Sequence, residues 1–140
     1  MSNFELDPRL TNDCFVLGEM GCSLLLLMNN KLVPWFILVP KVTHTYELYE
    51  LDKNIQKQLL DEINALSKFI KDNLEVGKLN VAAIGNIVKQ LHIHVIARNE
   101  TDYCWPNVVW GAEGKEPYSE DEVENLVTRL TEKLEGFSKV

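Results

Sequence analysis

The sequence has few of the features that would assign it to a membrane, an export pathway or a nucleic acid. No run of apolar residues exceeds the length of Leu24–Met28, whereas a spanning helix needs roughly 20. The start of the chain, Met1-Ser2-Asn3-Phe4-Glu5, has no basic region followed by an apolar stretch, so no signal peptide is expected. Basic residues are also scarce: 14 Lys and Arg stand against 21 Asp and Glu, a formal charge of -7. That balance leaves no global positive field for gripping a nucleic-acid backbone and excludes a polyanion-wrapping protein. The three cysteines, Cys14, Cys22 and Cys104, form no CxxC pair and cannot all be bridged within one chain. Such usage suits a reducing compartment, and a cytoplasmic protein is the expectation. Cys14 and Cys22 read as small buried apolar residues, and Cys104 falls in a loop.

What remains is the composition of one soluble globular domain: 140 residues, 46% hydrophobic and 25% charged, without repeats or low-complexity tracts. Clusters at Cys14–Leu17, Cys22–Met28, Trp35–Val39, Leu79–Ile84 and Leu91–Ala97, separated by Gly, Asn or Pro, predict five strands. Between the third and fourth, Ile55, Leu59, Ile63, Leu66, Ile70 and Leu74 recur every three or four residues and make one apolar stripe on a helix. Asp52 is placed to cap its start and Gly77 its end. Ser119 with Glu122 forms a capping box ahead of Val123, Leu126, Val127, Leu130, Leu134 and Phe137, which predicts a C-terminal helix. Short turns around Gly18–Gly21 and Asn29–Pro34 argue for an α+β fold, an antiparallel five-stranded meander with the long helix packed on one face. Residues 1–140 form a single unit, with a core at about 13–98 and an aromatic loop and helix over 99–140.

The segment Val88-Lys89-Gln90-Leu91-His92-Ile93-His94-Val95-Ile96-Ala97-Arg98 holds two of the three histidines. If it is a strand, Leu91, Ile93, Val95 and Ala97 face the helix while Gln90, His92 and His94 share the other face at roughly 7 Å intervals. A plain reading is a pair of solvent-facing histidines. A zinc site is a second, but it needs at least three placed ligands, and only His44 and scattered cysteines remain to complete it. Nucleophilic catalysis is a third. A neutral imidazole attacks phosphorus well near pH 7, the resulting phosphoramidate is discharged by water, and a second histidine nearby opposes double protonation.

Gln90-Leu91-His92-Ile93-His94-Val95-Ile96 resembles the histidine-triad (HIT) motif, His-φ-His-φ-His-φ-φ with φ apolar. Leu24–Asn29, Val33–Lys41 and Leu79–Asn86 are similar to the strands and phosphate loop that accompany it, so the resemblance spans roughly Asp13 to Arg98. It implies a nucleotide hydrolase, without a metal or other cofactor, that attacks a nucleoside α-phosphate such as that of a dinucleoside polyphosphate or nucleoside phosphoramidate. His92 takes the nucleophilic position and His94 the phosphate-contacting third position. Asn86 falls where the family usually has a phosphate-binding Gln, and Asn29 matches a ribose-holding residue, although a turn role in Asn29-Asn30 accounts for it equally well. Trp35 stands where many members carry another histidine and is expected to contact substrate.

The pattern departs from the family at Gln90, which replaces the first triad histidine and can orient its neighbours without becoming cationic, and in a loop that lacks a run of glycines. The resemblance leaves a nucleotide-binding regulator of little turnover, or a nucleotidyltransferase, as alternatives. Lys41, Lys89 and Arg98 could lend positive charge to a phosphate, though lysines flanking strands are commonly solvated edges. Two of the three tryptophans, Trp105 and Trp110, lie in the loop Tyr103–Gly111. It is read as a subunit interface of a homodimer, or else as a lid over the chain's own site.

Overall fold

The computed structural model describes residues 3–140. A short helix α1 (Pro8–Asp13) leads into β1 (Cys14–Glu19), β2 (Ser23–Met28) and β3 (Trp35–Pro40). The long helix α2 (Lys53–Asn73) follows, then β4 (Lys78–Ala82), β5 (Ile93–Arg98), α3 (Glu120–Lys133) and a two-residue β6 (Ser138–Lys139). The six strands form one sheet in the order β4-β5-β3-β2-β1-β6, antiparallel at every pairing. The α+β class with its long and C-terminal helices is as the sequence predicts, but the sheet has a sixth strand and is a meander only through β1-β2-β3. β5 inserts between β3 and β4, leaving β4 at the edge. The added strand depends on Gly18: a Cβ there would run into the Ser138 carbonyl and the Phe137 ring, so only glycine lets β6 close on β1.

Helix α2 begins as expected, with the Asp52 carboxylate accepting from the Ile55 N–H at 2.9 Å. Its end differs: the last helical residue is Asn73, and Gly77 lies beyond, its N–H donating to the Arg98 carbonyl at the start of the β4–β5 ladder. The glycine therefore opens a strand rather than closing a helix. The Ser119–Glu122 capping box of α3 forms with both reciprocal bonds.

Both faces of the sheet are covered. On one, Leu25, Leu27, Phe36, Leu38, Val95 and Ala97 pack against Leu66, Phe69 and Ile70 of α2 and Leu130 of α3. On the other, Leu26, Trp35, Ile37, Val39 and Ile96 meet Leu10 of α1 and Val109 of the aromatic loop. Strands β3 and β5 are buried at every position, which is why they read as nearly continuous apolar runs. Among the described residues, no helix is long and apolar enough to cross a membrane.

Leu66 is fully buried between α2 and the sheet. Leu66→Ala should lower the unfolding free energy by about 2–5 kcal/mol, as measured by urea denaturation, because the rigid sheet cannot collapse into the void.

Candidate functional site

The histidine-bearing strand starts later than its alternation suggests. β5 begins at Ile93, so Gln90, Leu91 and His92 form an approach segment and only His94 lies within the ladder, opposite Ile37 and Ala82. The expected row of three polar side chains is accordingly a pair. The His92 and His94 rings lie 4.8 Å apart, inclined at 70°. The Gln90 amide turns away toward the N-terminal segment, where it donates to the Glu5 carbonyl and accepts from the Asp7 N–H, each at 2.9 Å. The alternation itself holds: Leu91 and Ile93 pack with Leu59 and Ile63 of α2, while His94 lies with the aromatic residues on the opposite face.

Each ring is oriented by one partner on Nδ1. His92 Nδ1 lies 2.6 Å from the Gln90 carbonyl oxygen. A carbonyl only accepts, so Nδ1 carries the proton and, in the neutral ring, Nε2 holds the lone pair. His94 is the reverse. The Trp35 indole N–H donates to its Nδ1 at 2.9 Å, which leaves the neutral His94 with a donating Nε2–H. Burial, and next the charge of His92, push the His94 pKa down to about 3. Two adjacent buried imidazoles thus differ in function, one offering a lone pair and the other a neutral N–H donor. The two rings are 5% and 4% exposed, so the pair is shielded from bulk water rather than facing it.

The remaining expected site residues are spread around this pair. Asn86 is exposed on the loop before Gln90 and lines a cavity of about 690 Å³ together with His92, Gln90, Gly85, Lys89 and Tyr46. His94, Asn29 and Trp35 do not line that cavity. The Asn29 carboxamide oxygen accepts from the Tyr118 N–H at 2.9 Å, tying β2 to the segment before α3. Trp35 acts on His94 rather than on the cavity. Of the three cations considered for phosphate, Lys41 pairs with Glu19 at 2.9 Å, Arg98 is buried, and Lys89 alone lines the cavity. Among the described residues, no three His, Cys, Asp or Glu side chains are grouped as a metal site.

The aromatic loop packs on its own chain. Trp110 presents an edge to His94 at 5.0 Å and to Trp35 at 5.8 Å. Trp105 lies beneath the Arg98 guanidinium at 5.6 Å, a cation–π arrangement. Both indoles are partly buried against their own chain. Sequence reasoning missed how the loop is held. Arg98, 1% exposed, makes paired bonds to Asp102 at 2.7 and 3.1 Å and further bonds to the Asn107 carbonyl and Asn80. The guanidinium in turn holds the Asp102 carboxyl down to about 2. The available signal was a charge closing an apolar strand with an Asp four residues on.

With this geometry, the comparison with known proteins is direct. The HIT-domain model matches residues 9–101, well over half the chain. The chain belongs to the histidine triad family. This HIT-domain chain is similar to three histidine triad proteins of known structure. That of Sinorhizobium meliloti is 41% identical with a TM-score of 0.92 over 96% of this chain and 99% of that one. The Marinobacter aquaeolei protein is 41% identical with a TM-score of 0.91 over 96% and 98%. The Bradyrhizobium japonicum protein is 37% identical with a TM-score of 0.90 over 94% and 98%. No functionally curated protein matches.

The depressed His94 pKa bears on stability. Its folded value of about 3 lies below the 6.5 of a free ring, so between those values the unfolded chain takes up a proton that the folded chain refuses. Stability should therefore fall as pH drops through that window, by about 2 kcal/mol between pH 6.5 and 4.5 from this group. Denaturation curves for wild type and His94→Asn at the two pH values should show a smaller loss in the variant.

Proposed function

We propose that this protein is a nucleotide hydrolase acting on a nucleoside α-phosphate through a covalent nucleotidyl-His92 intermediate. HIT-domain proteins are generally nucleotide hydrolases or transferases. The observation that carries the proposal is the pair of opposed tautomers, His92 held with its Nε2 lone pair available and His94 held as a neutral donor. His92 Nε2 attacks phosphorus; a P–N bond forms as the bond to the leaving group breaks, and the leaving group departs with the electron pair. The His94 Nε2–H stabilises the charge developing on the phosphate oxygens without bringing a second full cation beside His92. Asn86 and Lys89, which line the cavity with His92, supply further polar contact. Water then attacks phosphorus, breaks the P–N bond and releases the nucleoside monophosphate. Dinucleoside polyphosphates and nucleoside phosphoramidates both present the required centre.

This reading includes a cytoplasmic homodimer. On one side of β5 the sheet ends at β4, an edge strand whose Val81 is 48% exposed, and an unpaired edge can join its copy across a twofold axis. Sedimentation at micromolar concentration should give the dimer mass, and a clean monomer of full activity would remove that part.

Incubation with a slowly hydrolysed nucleotide followed by intact-mass measurement should show one added nucleotidyl group on wild type and none on His92→Asn. Turnover of the variant should fall at least about a thousandfold with binding largely retained. A variant keeping more than about a tenth of the activity would exclude His92 as nucleophile. Binding without any adduct or turnover in wild type would favour a nucleotide-binding regulator. Adduct transfer to an added sugar phosphate in preference to water would favour a transferase.

A further inference from the structure

Gln90 departs from the family motif, and its side chain is committed to a part of the chain more than 80 residues away. The amide nitrogen donates to the Glu5 carbonyl and the amide oxygen accepts from the Asp7 N–H. A second tie lies beside the first: the Arg9 guanidinium donates to the Ile87 carbonyl at 2.9 Å. The stretch from residue 5 to residue 9 is thereby fastened at two points to the loop that precedes His92. From the other direction, the Leu91 N–H donates to the Thr45 carbonyl at 2.9 Å. Residue 90 is thus held by its side chain, and residue 91 by its backbone.

The backbone carbonyl of residue 90 is also the group that accepts from His92 Nδ1. Any movement of residue 90 changes the acceptor that selects the tautomer of His92. Gln90, Lys89 and Tyr46 further line both the cavity beside His92 and a neighbouring one of about 470 Å³ walled by Glu5 and Asp7. The clasp is therefore the partition between two spaces.

We infer that the N-terminal segment Glu5–Arg9 is a strap that presets His92, and that Gln90 is a positioning residue working through its own backbone carbonyl. An amide suits this task because its donor and acceptor sit side by side on one carbon, matching a carbonyl and an N–H two residues apart on the strap. The catalytic consequence rests on the reading of His92 as nucleophile, whereas the effect on the tautomer does not.

The test is made on the full-length chain. Side-chain nitrogen NMR of the histidines reads the His92 tautomer directly, alongside kcat, KM and the pH profile. Wild type should show the Nδ1–H form alone. Gln90→Leu, which removes both bonds, should show mixed tautomers and a kcat about tenfold lower with KM within about twofold. Gln90→Glu keeps the acceptor for Asp7 but not the donor for Glu5 and should fall between the two. Glu5→Gln should change nothing, because only the backbone of residue 5 is used. If Gln90→Leu fails to fold, Arg9→Gln cuts the second tie at the surface and should move tautomer and kcat the same way by less. A single Nδ1–H tautomer with wild-type kcat in these variants overturns the strap. Mixed tautomers in a protein that never forms a nucleotidyl adduct would leave the strap standing and remove the hydrolase reading instead.

Discussion

A strand buried on both faces cannot carry a polar side chain unless the rest of the molecule supplies a partner for it, since an unpaired buried polar group costs roughly 1–3 kcal/mol and a charge more. β5 is buried at all of its positions yet carries His94 and Arg98. Much of the architecture on that side of the sheet answers this constraint. Trp35 on β3 supplies the indole N–H for His94. Asp102, Asn80 and the Asn107 carbonyl surround Arg98. The loop that brings Asp102 and Asn107 also brings Trp110 onto His94, so the solution to one buried charge encloses the candidate site.

The same burial sets the chemistry. An imidazole in water near its pKa is an indifferent mixture of cation and two tautomers. Between Trp35 and Trp110, His94 is held neutral, and its one remaining hydrogen-bonding group is a donor. His92, one step outside the ladder, answers to a carbonyl instead and is left with the complementary lone pair. The functional difference between two identical side chains two residues apart comes from which neighbour occupies Nδ1. Neither difference needs a charged third group, which explains how a glutamine can stand at position 90 without disturbing the pair.

Local signals carried a good deal of this. The Asp52 cap and the Ser119–Glu122 box were legible because a cap is a contact within one turn. The stripe from Ile55 to Ile70 named the helix face that meets the sheet. The alternation around His94 correctly divided β5 between two environments, though it extended the strand two residues too far, since the pairing with β3 ends at Leu38–Ile93 and that with β4 at Ala82–His94. Gly77 misled because a glycine after an apolar stripe serves a helix end and a strand start equally well.

By itself the sequence determined the family, through His92 and His94 in their apolar frame, and the α+β class, through hydrophobic period and turn residues, because these are properties of neighbours along the chain. Only the tertiary structure decided the strand order, the sixth strand closed over Gly18, the Arg98–Asp102 anchor and the roles of Trp35, Trp110 and Gln90. The contacts of Trp35 and Gln90 join groups 59 and 85 residues apart, and β6 reaches β1 from the far end of the chain. No spacing rule encodes such a meeting; it follows from how two covered faces of one sheet dispose of their few polar atoms.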